Sequence, residues 1–365
     1  MIKKYKKLMT KTYQDTYEDR YNLNPKLLSY YKKIFKKNLK EMKISIKDLK
    51  KKTVLNVGTG LESVVFHILG AKKVYHCDIS SKAHRSVQKH KRKYNRLFSK
   101  QIDLSSKKLV LPENIDIIYL YGVFHHFNNP KFALQNLVNV LNPDGRIFIR
   151  NYTSGSMLFF IADYIRKFMP KDKQSLIKNK FIKKFGKFKL NHRNWNNNFI
   201  TYLYSDLCID HSCVPTLNLF NANKFQEYFE LHNFENLNKK KYPSYFHKDY
   251  LNKNLVMQSF IFKNLNKKKV RLKRNFLISE DQLLIKYKEN YIQNTVKLMK
   301  RNIRRFKKFN LNKKINLLID LSYIGNVYRF HKLYKKVKDD FFKLNYKNLS
   351  NVKGIHYFLN ERLNK

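Results

Sequence analysis

Val54-Leu55-Asn56-Val57-Gly58-Thr59-Gly60-Leu61-Glu62 decides how the rest of the chain is read: an apolar strand runs into a Gly-x-Gly turn that opens a helix. The chain has nine glycines in 365 residues, and this one turn holds two of them. A Cβ at either place would crowd a ligand approaching the main chain, or forbid the positive φ that a tight strand-to-helix turn uses. A nucleotide-like cofactor lies against the backbone of such a turn. Further on, Val74-Tyr75-His76-Cys77-Asp78 reads as a second strand ending in an acid, at the spacing where an α/β fold grips ribose hydroxyls.

Working outward, residues 53–58, 73–78, 115–121 and 145–151 read as strands, separated by helices over 61–70, 81–97 and 131–141. Strands alternating with helices of this length predict an α/β fold with a doubly wound, mostly parallel sheet and right-handed crossovers. Asn142-Pro143-Asp144-Gly145 is the expected turn into the fourth of these strands, because Pro cannot continue the preceding helix. The pattern resumes at Asn221, an N-cap for a helix ending near Leu231, followed by strands near 234–239 and 255–263.

Three further segments frame this domain, taken as residues 51–265. Residues 1–50 read as a helical cover over one edge of the core. Tyr13, Tyr17 and Tyr21 there stand at four-residue spacing, which suits a cap over the cofactor but is more simply a core stripe. Residues 153–222 lose the α/β register. Met157, Phe159, Phe160, Ile161, Tyr164, Ile165 and Phe168 make an apolar helical face backed by Arg166 and Lys167. Inserted between a core strand and the next core helix, the segment reads as a lid over the substrate, and its basic amphipathic face also suits a membrane interface. The plainer alternative is that these aromatics pack on the domain. Residues 266–365 read as a basic helical extension: Ser279-Glu280-Asp281-Gln282 is a capping box, and Ile285, Ile292, Val296, Met299, Ile303 and Phe306 form one stripe.

Lys and Arg number 77 against 26 Asp and Glu, a formal charge of +51. Attraction to polyanions follows, through RNA or an anionic membrane surface. An AT-rich coding sequence would also write many lysines, so charge alone does not choose the substrate. Three cysteines give no disulfide framework and fit a reducing compartment. Cys208, His211 and Cys213 match no zinc spacing and lack a fourth ligand, so no metal is expected. The basic start Met-Ile-Lys-Lys-Tyr-Lys-Lys precedes no apolar run of a signal peptide, and no run reaches the roughly 18 apolar residues of a membrane span. The expectation is a cytoplasmic protein, at most peripheral at a membrane, with no transmembrane segment.

The ordered set Asn56-x-Gly58-x-Gly60, Asp78-Ile79-Ser80, Asp103-Leu104, Tyr121-Gly122-Val123-Phe124-His125-His126-Phe127 and Leu141-Asn142-Pro143-Asp144-Gly145 resembles the class I S-adenosylmethionine-dependent methyltransferases, in particular those acting on small molecules. The resemblance covers about residues 50–265 and implies a seven-stranded Rossmann-like sheet. It implies that Asn56, Gly58, Thr59 and Gly60 leave room for the methionine portion of S-adenosylmethionine. Asp78, with Ile79 beside it, would accept from both ribose hydroxyls, because a carboxylate has two oxygens to offer. Asp103 and Leu104 would meet the adenine, and the Tyr121-Gly122 backbone would hold the methionine ammonium. His125 and His126 fall where the family carries a His pair, as candidate catalytic bases or as loop-holding residues. Asp206 and His211 fall where related enzymes place substrate-facing residues.

Two positions depart from the family pattern. Asn56 stands where an acid is usual, and Glu62 where a third glycine is usual. Glu62 near a helix N-terminus is explained most simply by the helix dipole, and it also offers the negative charge that Asn56 lacks. The expected function is therefore methyl transfer to a small-molecule or lipid-like acceptor under the lid. The alternatives are an RNA methyltransferase using the basic C-terminal helices and a catalytically inactive module that binds the cofactor. Tyr121-Gly122-Val123-Phe124, in place of an Asn-Pro-Pro-Tyr motif, counts against base amino groups as acceptors.

Overall fold

A computed structural model describes residues 25–89, 93–153, 189–191, 201–203, 216–218, 220–241, 257–272 and 310. Helix α1 spans Pro25–Glu41 and α2 Ile46–Leu49, the latter started by a capping box in which the Ser45 hydroxyl accepts from the Asp48 N–H and the Asp48 carboxylate answers. Then come β1 Thr53–Val57, α3 Leu61–Ile68, β2 Lys73–Asp78, α4 Ser81–Lys89, β3 Leu97–Gln101 and β4 Ile115–Tyr121. A single 3-10 turn at Phe124–His126 leads to α5 Pro130–Asn139, capped by the Asn129 side chain, and to β5 Leu141–Tyr152. Strands β6 Lys189–Asn191 and β7 Thr201–Leu203 pair with each other, antiparallel. Helix α6 Ala222–Glu230, β8 Phe234–Asn236 and β9 Met257–Asn264 complete the described chain.

The main sheet has seven strands in the order β3-β2-β1-β4-β5-β9-β8, parallel from β3 to β5, with β9 antiparallel to both neighbours. Its two faces are covered separately, as a doubly wound sheet requires, because strand side chains alternate. Val54, Val74, Ile117, Tyr119 and Phe148 meet Tyr31 and Phe35 of α1 and Val64 and Phe66 of α3. Leu55, Tyr75, Cys77, Ile118, Leu120 and Ile147 face Leu134 and Leu137 of α5 and Phe225 and Phe229 of α6. Tyr119 anchors α1 to the sheet: its ring lies 4.6 Å from Phe35 and 4.6 Å from Phe148, and its hydroxyl accepts from Asn38 Nδ2 at 2.6 Å. The same parity puts Asn56, His76 and Asp78 on the α3 face.

Most elements fall where the sequence pattern puts them, including α6 with the Asn221 side chain accepting from the Lys224 N–H. Two differ. The helix expected over 81–97 is described over Ser81–Lys89, the chain is in a turn at Lys93, and Leu97 begins β3 in register with Val74. Of the described helix only Ala83, Ser86 and Val87 are buried. The turn at Asn142–Gly145 lies inside β5, as a bulge between the pairs Ile115↔Leu141 and Ile117↔Arg146, with Asp144 at φ 59°. Among the described residues no helix is long and apolar enough to cross a membrane.

Candidate functional site

The order in which strands are added reverses between β1 and β4, which run parallel: from β1 the sheet grows toward β2 and β3, and from β4 toward β5. The carboxyl ends of two such strands border the crevice where open α/β sheets take ligands. Gly58 follows one of these strands, and Tyr121 and Gly122 end the other.

The backbone leaves β1 through Gly58 at φ 149°, whose N–H donates to the Cys77 carbonyl at 3.2 Å, and enters α3 through Gly60 at φ 96°. The two glycines are needed for different reasons. A Cβ on Gly60 would lie 2.5 Å from Val87 Cγ2, so α4 itself excludes a side chain there. A Cβ on Gly58 would stand 3.3 Å from Val123 Cγ2 and 3.9 Å from Glu62 Oε2. Gly58 thus leaves a narrow side-chain-free slot, tight even for a Cβ, between Val123 of the turn after β4 and Glu62 of the first turn of α3.

Asp78 ends β2 beside this hinge. Its Oδ1 accepts from the Ser80 N–H at 2.6 Å. Protein encloses the carboxyl although the residue keeps some surface at the strand tip. Burial, reinforced by the nearby Glu62 charge, pushes its pKa up to about 7. The Ile79 N–H donates to the carboxylate as well; two oxygens have further lone pairs, which hydroxyl groups would fill. Ile79, half-buried, uses its carbonyl to accept from Gln101 Nε2.

Other expected residues are engaged within the protein. Asn56 is fully buried, its Oδ1 taking the Ser63 hydroxyl at 2.7 Å and its Nδ2 reaching the Tyr119 carbonyl at 3.3 Å. Thr59 donates its hydroxyl to Glu62 Oε2 at 3.0 Å. Asp103 caps a turn, with Oδ1 accepting from the Ser105 N–H and Oδ2 from the Ser106 hydroxyl. Leu104 sits in the core, and its carbonyl accepts from Asn136 Nδ2 of α5. Gly122, at φ 72°, donates its N–H to the Arg150 carbonyl at 2.9 Å, and the Arg150 guanidinium lies 5.1 Å from the Tyr121 ring centre.

The two histidines hold a loop. His125 is completely buried, with Nδ1 2.7 Å from Asn151 Oδ1 and its ring 4.3 Å from that of Tyr152. His126 is 6% exposed, and its Nδ1 lies 3.0 Å from the Thr216 carbonyl; a carbonyl only accepts, so that nitrogen carries the proton. Asp206, His211, Cys208, Cys213, Tyr13, Tyr17 and Tyr21 lie outside the described residues, as do most of the expected lid and all but 266–272 and 310 of the basic extension. Among the described residues no group of His, Cys, Asp or Glu is placed to hold a metal.

Two contributors, His76 and Asn218, are not apparent from the sequence pattern, and a third, Glu62, is apparent there as an acid but not as a buried one. His76 Nε2 lies 2.7 Å from the Gly58 carbonyl, and its Nδ1 lies 2.8 Å from Ser99 Oγ. Asn218 donates its main-chain N–H to the His125 carbonyl and its Nδ2 to the Phe127 carbonyl, both at 2.7 Å. The Glu62 carboxylate borders the slot. Of the first two, only His76 leaves a local signal, as a polar residue inside the apolar run Val74–Cys77.

The slot over Gly58, the enclosed Asp78 carboxylate and their place at the switch point fit an adenosyl group that ends in an amino acid. Residues 55–149 match the family model described as a methyltransferase domain. No curated protein matches the chain. Among solved structures, the chain is 22% identical to a SAM-dependent methyltransferase from Aquifex aeolicus, covering 39% of this chain and 72% of that one at a TM-score of 0.30. It is 9% identical to an S-adenosylmethionine-dependent methyltransferase from Clostridium acetobutylicum, covering 65% and 91% at a TM-score of 0.37. With the CcbJ methyltransferase from Streptomyces caelestis it shares 12% identity over 28% of this chain and 44% of that one, at a TM-score of 0.26. In that match and in two others, at 38% and 34%, the chain spans less than half the length of the matched chain. Over residues 55–149, then, the chain is similar to the methyltransferase-domain family.

Proposed function

We propose that this protein transfers a methyl group from S-adenosylmethionine to a small-molecule or lipid-like acceptor covered by residues 153–222. The observation that carries the cofactor half is the meeting, at the β1/β4 switch point, of the Gly58 slot with the enclosed Asp78 carboxylate. When bound, S-adenosylmethionine supplies an electrophilic methyl group on a sulfonium. Asp78 would hold the ribose hydroxyls, Gly58 would admit the methionine portion, Gly60 would let α4 pack against the turn, and the tip of β4 would close the far side. Methyl transfer is an in-line displacement, so alignment of acceptor and methyl carbon, with water kept out, supplies most of the rate. His126 is the base candidate if the acceptor must lose a proton.

The acceptor half rests on the apolar, basic-backed sequence of the 153–222 insertion, and the charge of 266–365 supports docking on an anionic surface. Calorimetric titration tests the cofactor half. Wild-type protein should bind S-adenosylmethionine, and Asp78→Ala should weaken binding about 100-fold, the cost of losing two hydrogen bonds to a charged group. A wild type that does not bind ends the reading. A screen of small molecules and lipids with methyl-labelled cofactor then tests the acceptor class. Methylation of RNA alone, with binding that falls steeply as salt rises, would overturn it.

A further inference from the structure

Glu62 stands in the first turn of α3, where an acid complements the helix dipole, yet it is only 2% exposed. A carboxylate that serves the dipole alone does so from the surface, because the hydration given up on burial exceeds what the dipole returns. The residue that would ordinarily bring a negative charge to this hinge is neutral: Asn56 is turned into the protein and held by Ser63 and Tyr119. The Glu62 carboxylate, by contrast, is aimed at the hinge. Thr59 Oγ1 steers Oε2 at 3.0 Å, and Oε2 lies 3.9 Å from the point a Gly58 Cβ would occupy.

We propose that Glu62 carries the counter-charge for the ammonium of the cofactor's methionine portion, taking from the first turn of α3 the role that Asn56 cannot fill from the end of β1. The proposal rests on the reading of the Gly58 slot as a cofactor site. It explains three features together. The third position of the glycine turn holds an acid because that position overlooks Gly58, one turn of chain away. Thr59 stands between the glycines because its hydroxyl fixes the carboxylate's direction. Asn56 is tolerated because the charge comes from elsewhere. The geometry also divides labour along the ligand: Asp78 serves the sugar and Glu62 the amino-acid end, so the two acids are separable by choice of ligand.

That separation gives the test. Binding of S-adenosylhomocysteine and of 5′-methylthioadenosine, which has the same nucleoside but no amino-acid end, is measured by calorimetry for wild type, Glu62→Gln and Asp78→Asn. Glu62→Gln should weaken S-adenosylhomocysteine about tenfold or more, the usual size for a charge-assisted hydrogen bond, and leave methylthioadenosine within about twofold. Asp78→Asn should weaken both. Equal losses of both ligands in Glu62→Gln, or no loss of either, overturn the proposal while the cofactor site stands. Wild type binding neither ligand overturns the site reading and the proposal with it. Should Glu62→Gln fail to fold, the wild type decides: S-adenosylhomocysteine lacking its amino group should bind about tenfold more weakly than the parent, and equal affinity overturns the proposal.

Discussion

His76 Nε2 donates to the carbonyl of Gly58 across 2.7 Å, tying the glycine hinge at the end of β1 to the interior of β2. A carbonyl only accepts, so the proton sits on Nε2. Burial holds the ring neutral, lowering its pKa to about 4, which leaves Nδ1 to accept from the Ser99 hydroxyl. Ser99 Oγ in turn lies 2.9 Å from His84 Nδ1, which donates to it. The order of protons runs one way, from α4 through β3 and β2 to the hinge.

Breaking that chain should loosen the hinge before it harms the fold. Ser99→Ala leaves His76 Nδ1 buried without a donor and should cost about 1–3 kcal/mol of stability, read from the denaturation midpoint. His76→Phe fills the space but releases the Gly58 carbonyl, and should weaken S-adenosylhomocysteine about tenfold in protein that still melts cooperatively. Unchanged affinity in a folded His76→Phe would show the hinge holding its shape unaided.

The two buried titrating groups beside the hinge oppose each other in pH. Asp78 has its folded pKa raised to about 7, so ionising it costs the unliganded fold stability progressively as pH rises from its unfolded value near 3.8 to about 7. His76 has its folded pKa lowered to about 4, so its contribution is full above its unfolded value near 6.5 and is lost as pH falls toward 4. On these two groups alone, wild-type stability should be nearly flat between about pH 4 and 7, since displacing a pKa by one is worth about 1.4 kcal/mol in either direction. Asp78→Asn removes one side of the balance. Its melting temperature should exceed wild type's at pH 7 and fall on acidification. If ribose hydroxyls favour the ionised carboxylate, wild-type affinity for S-adenosylhomocysteine should rise by up to about tenfold per pH unit below pH 7 and level off above it. A flat affinity profile would place the ribose elsewhere.

How much of this could be read in advance follows from how each feature is written in the chain. Gly58, Gly60 and Asp78 were legible because a strand, a turn and an acid at fixed spacing are local patterns. Strand β3 was not, because at the sheet edge it buries only Leu97 while Phe98, Lys100 and Gln101 stay exposed. The His76–Ser99–His84 chain depends on register: Ser99 stands opposite His76 in the β2–β3 pair, and no sequence spacing announces that. Glu62 was visible as an acid but not as a buried one. Asn56 and Asp103 drew attention by position, and only packing shows their polar atoms bonded to protein groups.

Gly60 separates two costs that a single substitution mixes. Gly60→Ala meets Val87 Cγ2 at 2.5 Å and must also accept φ 96°. Overpacking of this kind costs about 1–3 kcal/mol, and left-handed backbone about 1–2 kcal/mol more. Adding Val87→Ala should relieve the first cost and leave the second. A double-mutant cycle in denaturant should therefore show coupling of about 1 kcal/mol or more, and strict additivity would mean that α3 and α4 part without strain.

The chain's return from the 153–222 insertion is clamped to the turn after β4 by three hydrogen bonds. Asn218 gives its N–H to the His125 carbonyl and its Nδ2 to the Phe127 carbonyl, and His126 Nδ1 gives to the Thr216 carbonyl. One end of the insertion is therefore fixed directly against the loop that borders the Gly58 slot through Val123. Asn218→Ala deletes the Phe127 bond and should cost about 1 kcal/mol globally, but its local effect should be larger than its global one. Hydrogen exchange should speed up at the amides of His126 and Phe127, which donate to Val123 and Phe124, while β1 and β2 keep their protection. If exchange accelerates evenly over the sheet, or not at all at residues 126 and 127, the clamp is not what orders that turn.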